Sequence, residues 1–473
     1  MKTYDLKPTY ENLYQTFLND AIDRNNDVFK FVEILNSIND SCSIAIDGNW
    51  GSGKTFFVNQ VKMVIDASNP YIYQDDKEKD RLKINEILRE HCEDNPLDLN
   101  SQFCVYYDAW KNDNDIDPII SLVYEIIRST GTEYSFKETD WSKISTTIGE
   151  TLLDLGSQCL PILNIPKIDL GKLVEGLKGD DPIRAIKEQK GLEESVYDFF
   201  DGLLVEKGNR LVVFIDELDR CNPSYAVRLL ERIKHYFSDE RITFVFSVSL
   251  KQLQHTIKKH YGAEFDASRY LDRFFDLRMT LPEPNLKKFY ESIGLRDNGS
   301  VYYAVCFGLI ERYHLELREI ARFIRIAKIA GDYYIKLERQ NVVINFGISR
   351  QFSVHCIVPI MLVLKICDIE LYTKFIEGKD GTPLIEISKY VQKQSFFDYL
   401  LEDNETYDKY VKDGILVKIE DKVEELYEAI FIKNYIDDED MEHIGKMRFD
   451  KNIKRDLLRT AGLFSEYTKF DIE

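Results

Sequence analysis

No C-x-x-C pair occurs among the eight cysteines, at positions 42, 92, 104, 159, 221, 306, 356 and 367, and they form no ligand cluster. Several lie in apolar runs, where a free thiol acts as a small hydrophobe; this argues against a disulfide framework or a zinc site and points to a reducing cytoplasm. The opening residues, MKTYDLKPTYENLYQ, contain no apolar h-region, so no secretory signal is expected. An apolar run of membrane-spanning length is also missing. The longest, Cys356 to Leu364, contains Pro359, stops before Lys365 and is about half as long as a spanning helix needs, so it predicts a buried helix. The stretch from Ile148 to Ile165 is broken by Glu150, Asp154 and Pro161. No repeat, low-complexity tract or long linker separates the parts, which predicts domains packed together. Basic charge is in deficit: 62 Lys and Arg against 82 Asp and Glu leave a net charge of −20, with no basic run. A diffuse acidic surface disfavours non-specific binding to nucleic acid or to anionic membranes, so neither is an expected partner.

What is present begins with size: 473 residues, 44% of them hydrophobic, suffice for about two or three domains with a proper core. The stretch around which the chain is organised is CSIAIDGNWGSGKTFFVNQVKMV, from Cys42 to Val64. Cys42 to Ile46 reads as a buried parallel strand. Asp47 to Gly53 holds three glycines in seven residues, and from Thr55 onward Phe57, Val61 and Val64 recur with helical period. Gly48, Gly53, Lys54 and Thr55 fit G-x-x-x-x-G-K-[ST], set between a strand and a helix as that motif requires. Glycines let the backbone curl so that successive N–H groups point inward at phosphate, and the following helix adds the positive end of its dipole. The candidate binding residues are Gly48, Asn49, Trp50, Gly51, Ser52, Gly53, Lys54, Thr55 and Phe56. Lys54 would reach the β- and γ-phosphates, and the Thr55 hydroxyl would hold Mg2+.

The second diagnostic stretch is RLVVFIDELDRCNPSYAVRLLERIKHYF, from Arg210 to Phe237. Five apolar residues, Leu211 to Ile215, lead into Asp216 and Glu217, the pattern of a buried strand delivering two carboxylates where open α/β sheets bind ligands. Asp216 is the candidate second Mg2+ ligand and Glu217 the candidate group to polarise a water for in-line attack. Asn222 and Pro223 predict the start of the next helix. Further strands are expected at Phe103 to Tyr107, Ile242 to Val248 and Leu277 to Leu281. A serine at the end of the Ile242 strand can sense phosphate, but is as readily a turn former. Beyond about residue 285 the chain reads as helical, including ELREIARFIRIAKIAG with Ile320, Ile324 and Ala327 on one face.

Three segments together resemble the KAP family of P-loop NTPases, known mainly from bacteria, with some animal membrane-associated members and a plasmid phage-exclusion protein. GNWGSGKT is similar to that family's G-x-W-G-S-G-K-[ST], VVFIDELDRCNP to its FIDDLDRC-x-P, and YYDAWKNDNDIDPI to its FNAW segment; LELREIARFI more weakly resembles a PREIKR-like lid motif. The chain departs from the pattern at three places, with Glu217 where the family has a second Asp, Asp108 in place of Asn, and Ser249 where Asp is common. The resemblance implies an α/β P-loop NTPase core of three layers with a parallel central sheet, followed by an all-helical C-terminal part. The corresponding boundaries are a core at 1–285 with a polar insert at 66–101 and a helical insert at 129–200, a helical lid at 286–400 and a C-terminal helical region at 401–473. It further implies ATP and Mg2+ as cofactors, hydrolysis coupled to a conformational or assembly switch, a protein partner or self-association, and a role in defence against phage or mobile elements. Arg273, with Arg269 beside it, and Arg318 are candidates to complete the site in cis or from a neighbouring subunit, though a surface ion pair would explain each equally well. A nucleotide-gated scaffold with little turnover and a DNA-stimulated motor are the rival functions; the charge balance counts against the second.

Overall fold

The computed structural model describes residues 7–72, 77–91, 101–115, 118–129, 204, 208–236, 239–292, 301–339, 348–391, 397–406, 415–436 and 440–462. The helical insert expected at 129–200 lies, from residue 130 on, outside the described residues. The chain divides into two compact units, within residues 4–289 and 290–473.

In the first unit five parallel strands form one sheet: β1 (Cys42–Asp47), β2 (Gln102–Asp108), β3 (Arg210–Asp216), β4 (Ile242–Val248) and β5 (Leu277–Thr280), in the spatial order β2-β3-β4-β1-β5. Every residue of β3 and β4 is buried, as expected of central parallel strands covered on both faces, while the edge strand β5 is largely exposed. Side chains alternate between two cores, which is the period-2 rule at work. Leu211, Val213 and Ile215 join Phe244, Phe246 and Val248 on one face; Val212 and Phe214 join Val245, Ile44 and Ile46 on the other. Helices α1 (Tyr10–Leu18), α2 (Asn25–Ser37), α3 (Lys54–Ser68) and α4 (Glu78–His91) cover the second face. The first is covered by α5 (Pro118–Ser129), α6 (Pro223–Tyr236), α7 (Leu250–Tyr261) and α8 (Ala267–Leu271). The result is the three-layer architecture expected.

Local chemistry sets the boundaries that matter for the site. Asn222 accepts the Ser224 N–H on its side-chain oxygen at 3.0 Å, and Pro223 takes the first helical position, where a missing N–H costs nothing. Ala226, Leu229, Leu230 and Ile233 then form the buried stripe of α6. Because β4 lies between β1 and β3, the carboxylates of Asp216 and Glu217 come from the next strand but one to the strand that leads into the glycine loop.

The second unit is helical, with α9 (Val301–Arg312), α10 (Leu317–Arg339), α11 (Ile348–Cys367) and α12 (Lys451–Gly462), and adds two short pairings, Glu405–Thr406 with Ile415–Leu416 and Glu442–Ile444 with Met447–Phe449. Ile320, Phe323, Ile324 and Ala327 are the buried face of α10, while Arg318, Arg322 and Arg325 are exposed. Among the described residues α11 is the one helix long and apolar enough to cross a membrane; most of it is buried within its own unit, against α9 and α12, as the apolar run at Cys356 predicts.

Candidate functional site

The loop between β1 and α3 is shaped by its glycines. Gly51 and Gly53 have φ of 92° and 91°, in the left-handed region where a side chain is strained, and Gly53 caps α3. A Cβ on Gly48 would lie 2.9 Å from Ser52 Oγ, so a larger residue there would have to push that hydroxyl aside. Gly48 N–H donates to the Val248 carbonyl at 3.3 Å, tying the loop's start to the end of β4. The loop is also braced from outside: Arg24, 2% exposed, donates from Nη1 to the Ser52 carbonyl at 3.0 Å and from Nη2 to the Pro282 carbonyl at 2.5 Å. Ser52 Oγ is buried without a hydrogen-bond partner among the described residues.

Lys54 opens α3 with its side chain folded over the loop, Nζ donating to the carbonyls of Gly48 and Asn49 at 2.7 and 3.0 Å. Burial pulls its ammonium below the ordinary lysine value, and the carboxylates of Asp219, Asp216, Glu217 and Asp47 oppose that shift, which places the loop and the second motif in one electrostatic neighbourhood. Asp216 is 1% exposed; Tyr106 Oη donates to Oδ2 at 2.9 Å and the Glu217 N–H to Oδ1 at 3.0 Å. Burial raises its carboxyl, against hydrogen bonds that include the Thr55 hydroxyl, so Thr55 and Asp216 meet directly. Tyr106 is pushed up in turn, by burial and by Asp216.

Glu217 has φ of 61°, a conformation that costs a non-glycine residue roughly 1 kcal/mol or more and recurs at functional sites. Its carboxylate pairs with Arg220. The Arg220 guanidinium lies 5.4 Å from the ring centroid of Trp50 and 5.5 Å from that of Trp110, and Trp50 Nε1 donates to Asp219 Oδ2 at 2.5 Å. Asp219 itself is buried, its carbonyl accepting from Thr256 Oγ1 at 3.0 Å. The D-A-W turn is docked against the same place: Ala109 N–H donates to the Asp216 carbonyl at 3.0 Å, and Asp108 Oδ1 accepts the Lys111 N–H at 3.0 Å. Asp108, where the family has an amide, thus serves here as a turn cap.

The Phe56 ring and Arg273 both lie away from the loop. Phe56 is buried in the core between α3 and its neighbours, so its side chain packs and only its backbone can face the loop. Arg273 lies at the opposite end of the sheet: with Ser41, Ser43, Lys234, Ile242 and Asp276 it lines a cavity of about 250 Å³ at the amino ends of β1 and β4. The reason is topological, since β5 runs parallel to β1 and the chain leading into it must first return to the amino end. Arg273 is therefore not the arginine that completes this chain's own site. Arg318 lies on α10 in the second unit. Arg24 carries no motif, and Tyr106 opens the YYDAW segment without being singled out by it; the alternation of Tyr106 and Tyr107 along β2 is the signal that one ring points toward α3 and its loop.

Comparison with known proteins agrees with this geometry. A model of the KAP family P-loop domain matches residues 24–334, more than half of the chain. An uncharacterized protein of Methanocaldococcus jannaschii is 26% identical over 174 residues, an alignment that covers 30% of this chain and 88% of that protein. A nucleotide-binding function follows from the family. With the glycine loop, the paired carboxylates and the tryptophan-bearing turn assembled at one end of a parallel sheet, the chain belongs to the KAP family of P-loop proteins.

Proposed function

We propose that the chain is a cytoplasmic, Mg2+-dependent ATPase that couples ATP binding and hydrolysis to a conformational or assembly switch. The observation that carries the reading is that the Thr55 hydroxyl reaches the Asp216 carboxylate while Lys54 folds over the same glycine loop, in which Ser52 Oγ is buried without a partner among the described residues. A triphosphate would supply acceptors for Ser52 and for the loop's N–H groups. Lys54 would balance the β- and γ-phosphate charge, and Thr55 and Asp216 would hold Mg2+, which with one carboxylate and phosphate oxygens is a donor set that suits that ion. The ion, when bound, would neutralise charge building on the phosphate oxygens. Glu217 is the group that would orient a water, and its strained backbone is consistent with that task.

The preference for ATP, the protein partner or self-association, and a role in defence against phage or mobile elements come from the family likeness and are part of the proposal. A second reading, a nucleotide-gated scaffold with little turnover, is favoured by one observation: Arg220 already occupies the Glu217 carboxylate. Phosphate release measured at several protein concentrations separates the two. Hydrolysis is expected, with Glu217→Gln binding ATP normally and turning it over on the order of 100-fold more slowly. Tight binding with no turnover at any concentration would favour the scaffold, and turnover near wild type in Glu217→Gln would remove that residue from its role. The defence role is tested by phage plating on cells with and without the protein.

A further inference from the structure

We infer that Arg220, whose guanidinium lies over the indoles of both Trp50 and Trp110, is the positioning residue for Glu217, so that the placement of the hydrolytic carboxylate depends on the tryptophan of the phosphate loop itself. The inference rests on the ATPase reading of the site. Trp50 is 49% and Trp110 52% exposed, so neither ring is explained by core packing; what each does contact is the Arg220 guanidinium. A guanidinium attracted by two aromatic rings is restrained in where it can lie. Its Nε is in ion-pair contact with a Glu217 carboxylate oxygen. The ion pair with Arg220 restrains the Glu217 carboxylate.

The stack also joins pieces of chain that the sequence keeps apart. Trp50 lies in the glycine loop, Trp110 in the turn after β2, and Arg220 after β3. Trp50 is fastened a second time, through its Nε1 to Asp219, the residue before Arg220. A shift of the loop on taking up phosphate therefore moves Trp50, and with it both attachments of the segment that carries Glu217. Asp219 and Arg220 touch no phosphate in this scheme and act through Glu217 and the loop.

A double-mutant cycle tests this. Arg220→Ala is expected to lower kcat about 10- to 100-fold, the cost of a misplaced group, while affinity for a fluorescent ATP analogue stays unchanged. In a Glu217→Gln background the same replacement is expected to lower kcat no further, since the residue it positions is already disabled. Arg220→Lys, which keeps the charge but loses the planar fork and its stacking, is expected to fall between, and serves if the alanine variant does not fold. Equal losses in both backgrounds, or a loss of nucleotide affinity in place of rate, would overturn the inference. A second cycle needs no turnover. In nucleotide-free protein carrying Trp141→Phe, Arg220→Ala and Glu217→Gln are each expected to raise acrylamide quenching of the two remaining indoles, and the double variant to match Arg220→Ala alone. Quenching that ignores Glu217→Gln overturns the link. Wild-type protein without ATPase activity, combined with a positive quenching cycle, would sink the ATPase reading and leave the positioning link standing.

Discussion

At the carboxyl ends of the strands Lys54 and Asp216 are buried with their charged forms disfavoured, Glu217 holds a strained backbone, and Ser52 Oγ has no partner among the described residues. At the amino ends of the same sheet the charged side chains are tied into the surrounding backbone and to each other, although Arg210 Nε is buried without a partner among the described residues. Asp239 accepts from Arg241 through both carboxylate oxygens, at 2.9 and 2.6 Å. Arg210 donates to the carbonyls of Asn39 and Asp40 and to Thr243 Oγ1, and Asp276 accepts the Ser43 N–H. The amino end is held by contacts between strand and loop residues; the carboxyl end gathers a buried ammonium, a buried carboxylate and a hydroxyl, Ser52 Oγ, with no partner among the described residues. Residues at the first end should therefore matter for folding and little for nucleotide, and residues at the second the reverse.

The largest departure is expected from Lys54→Ala. It removes a charged donor from the cradle, so nucleotide affinity should fall on the order of 100-fold. Stability should change little, because a buried ammonium is itself costly to hold. Calorimetric binding together with a melting curve checks both halves; a large drop in Tm would show that the lysine braces the loop even without ligand. Gly53→Ala should come next. Forcing a side chain into φ of 91° costs about 1–2 kcal/mol and displaces the first amides of α3, for a loss of roughly tenfold in nucleotide affinity. Retained affinity would mean the loop relaxes elsewhere.

How much of this contrast could be read in advance follows from the kind of interaction. Strand positions were legible because a run such as Leu211 to Ile215 is apolar on both faces, and a strand covered on both sides has to be. The glycine loop and the acidic pair were legible because phosphate and metal chemistry fixes residue types at fixed spacing. The order of the strands was not. Apolar runs do not record their neighbours, and so the insertion of β4 between β1 and β3 had to be seen. Nor was the stack of Trp50, Arg220 and Trp110, in which three segments far apart in sequence meet through ring faces that leave no periodic trace. Arg24 is the extreme case: a lone arginine between two helices that turns out to hold the Ser52 carbonyl.

The amino end supplies the smaller effects. Asp239→Asn removes a paired, largely buried carboxylate and should cost about 1–2 kcal/mol at neutral pH, with nucleotide affinity untouched. The pH dependence has a definite sign. The side-chain hydrogen bonds from Arg241, aided by its backbone N–H, hold the Asp239 carboxyl below its ordinary value. Its stabilising contribution is therefore complete above the unfolded pKa, near about 3.9, and is lost as pH falls through the lower folded value. Denaturant titrations of wild type and Asp239→Asn should differ at pH 7 and converge in acid. A difference that persists at the lowest pH would assign the effect to packing.

Arg273→Ala should do least, and for that reason it divides the two ends most cleanly. The side chain borders the cavity at the amino ends of β1 and β4, a strand's length from the glycine loop, and β5, running parallel to β1, forces the preceding segment there. A group so placed cannot reach a phosphate held at residues 48 to 55 of the same chain. Hydrolysis at low protein concentration should therefore stay within about twofold of wild type, since an exposed charge far from the reacting atoms contributes little. If Arg273 instead serves the site of a second copy, the variant should match wild type when dilute and fall behind as concentration rises, because only assembly would bring one chain's amino end to another's carboxyl end. Matched rates across the whole concentration range would confine the chemistry to the carboxyl end of a single chain.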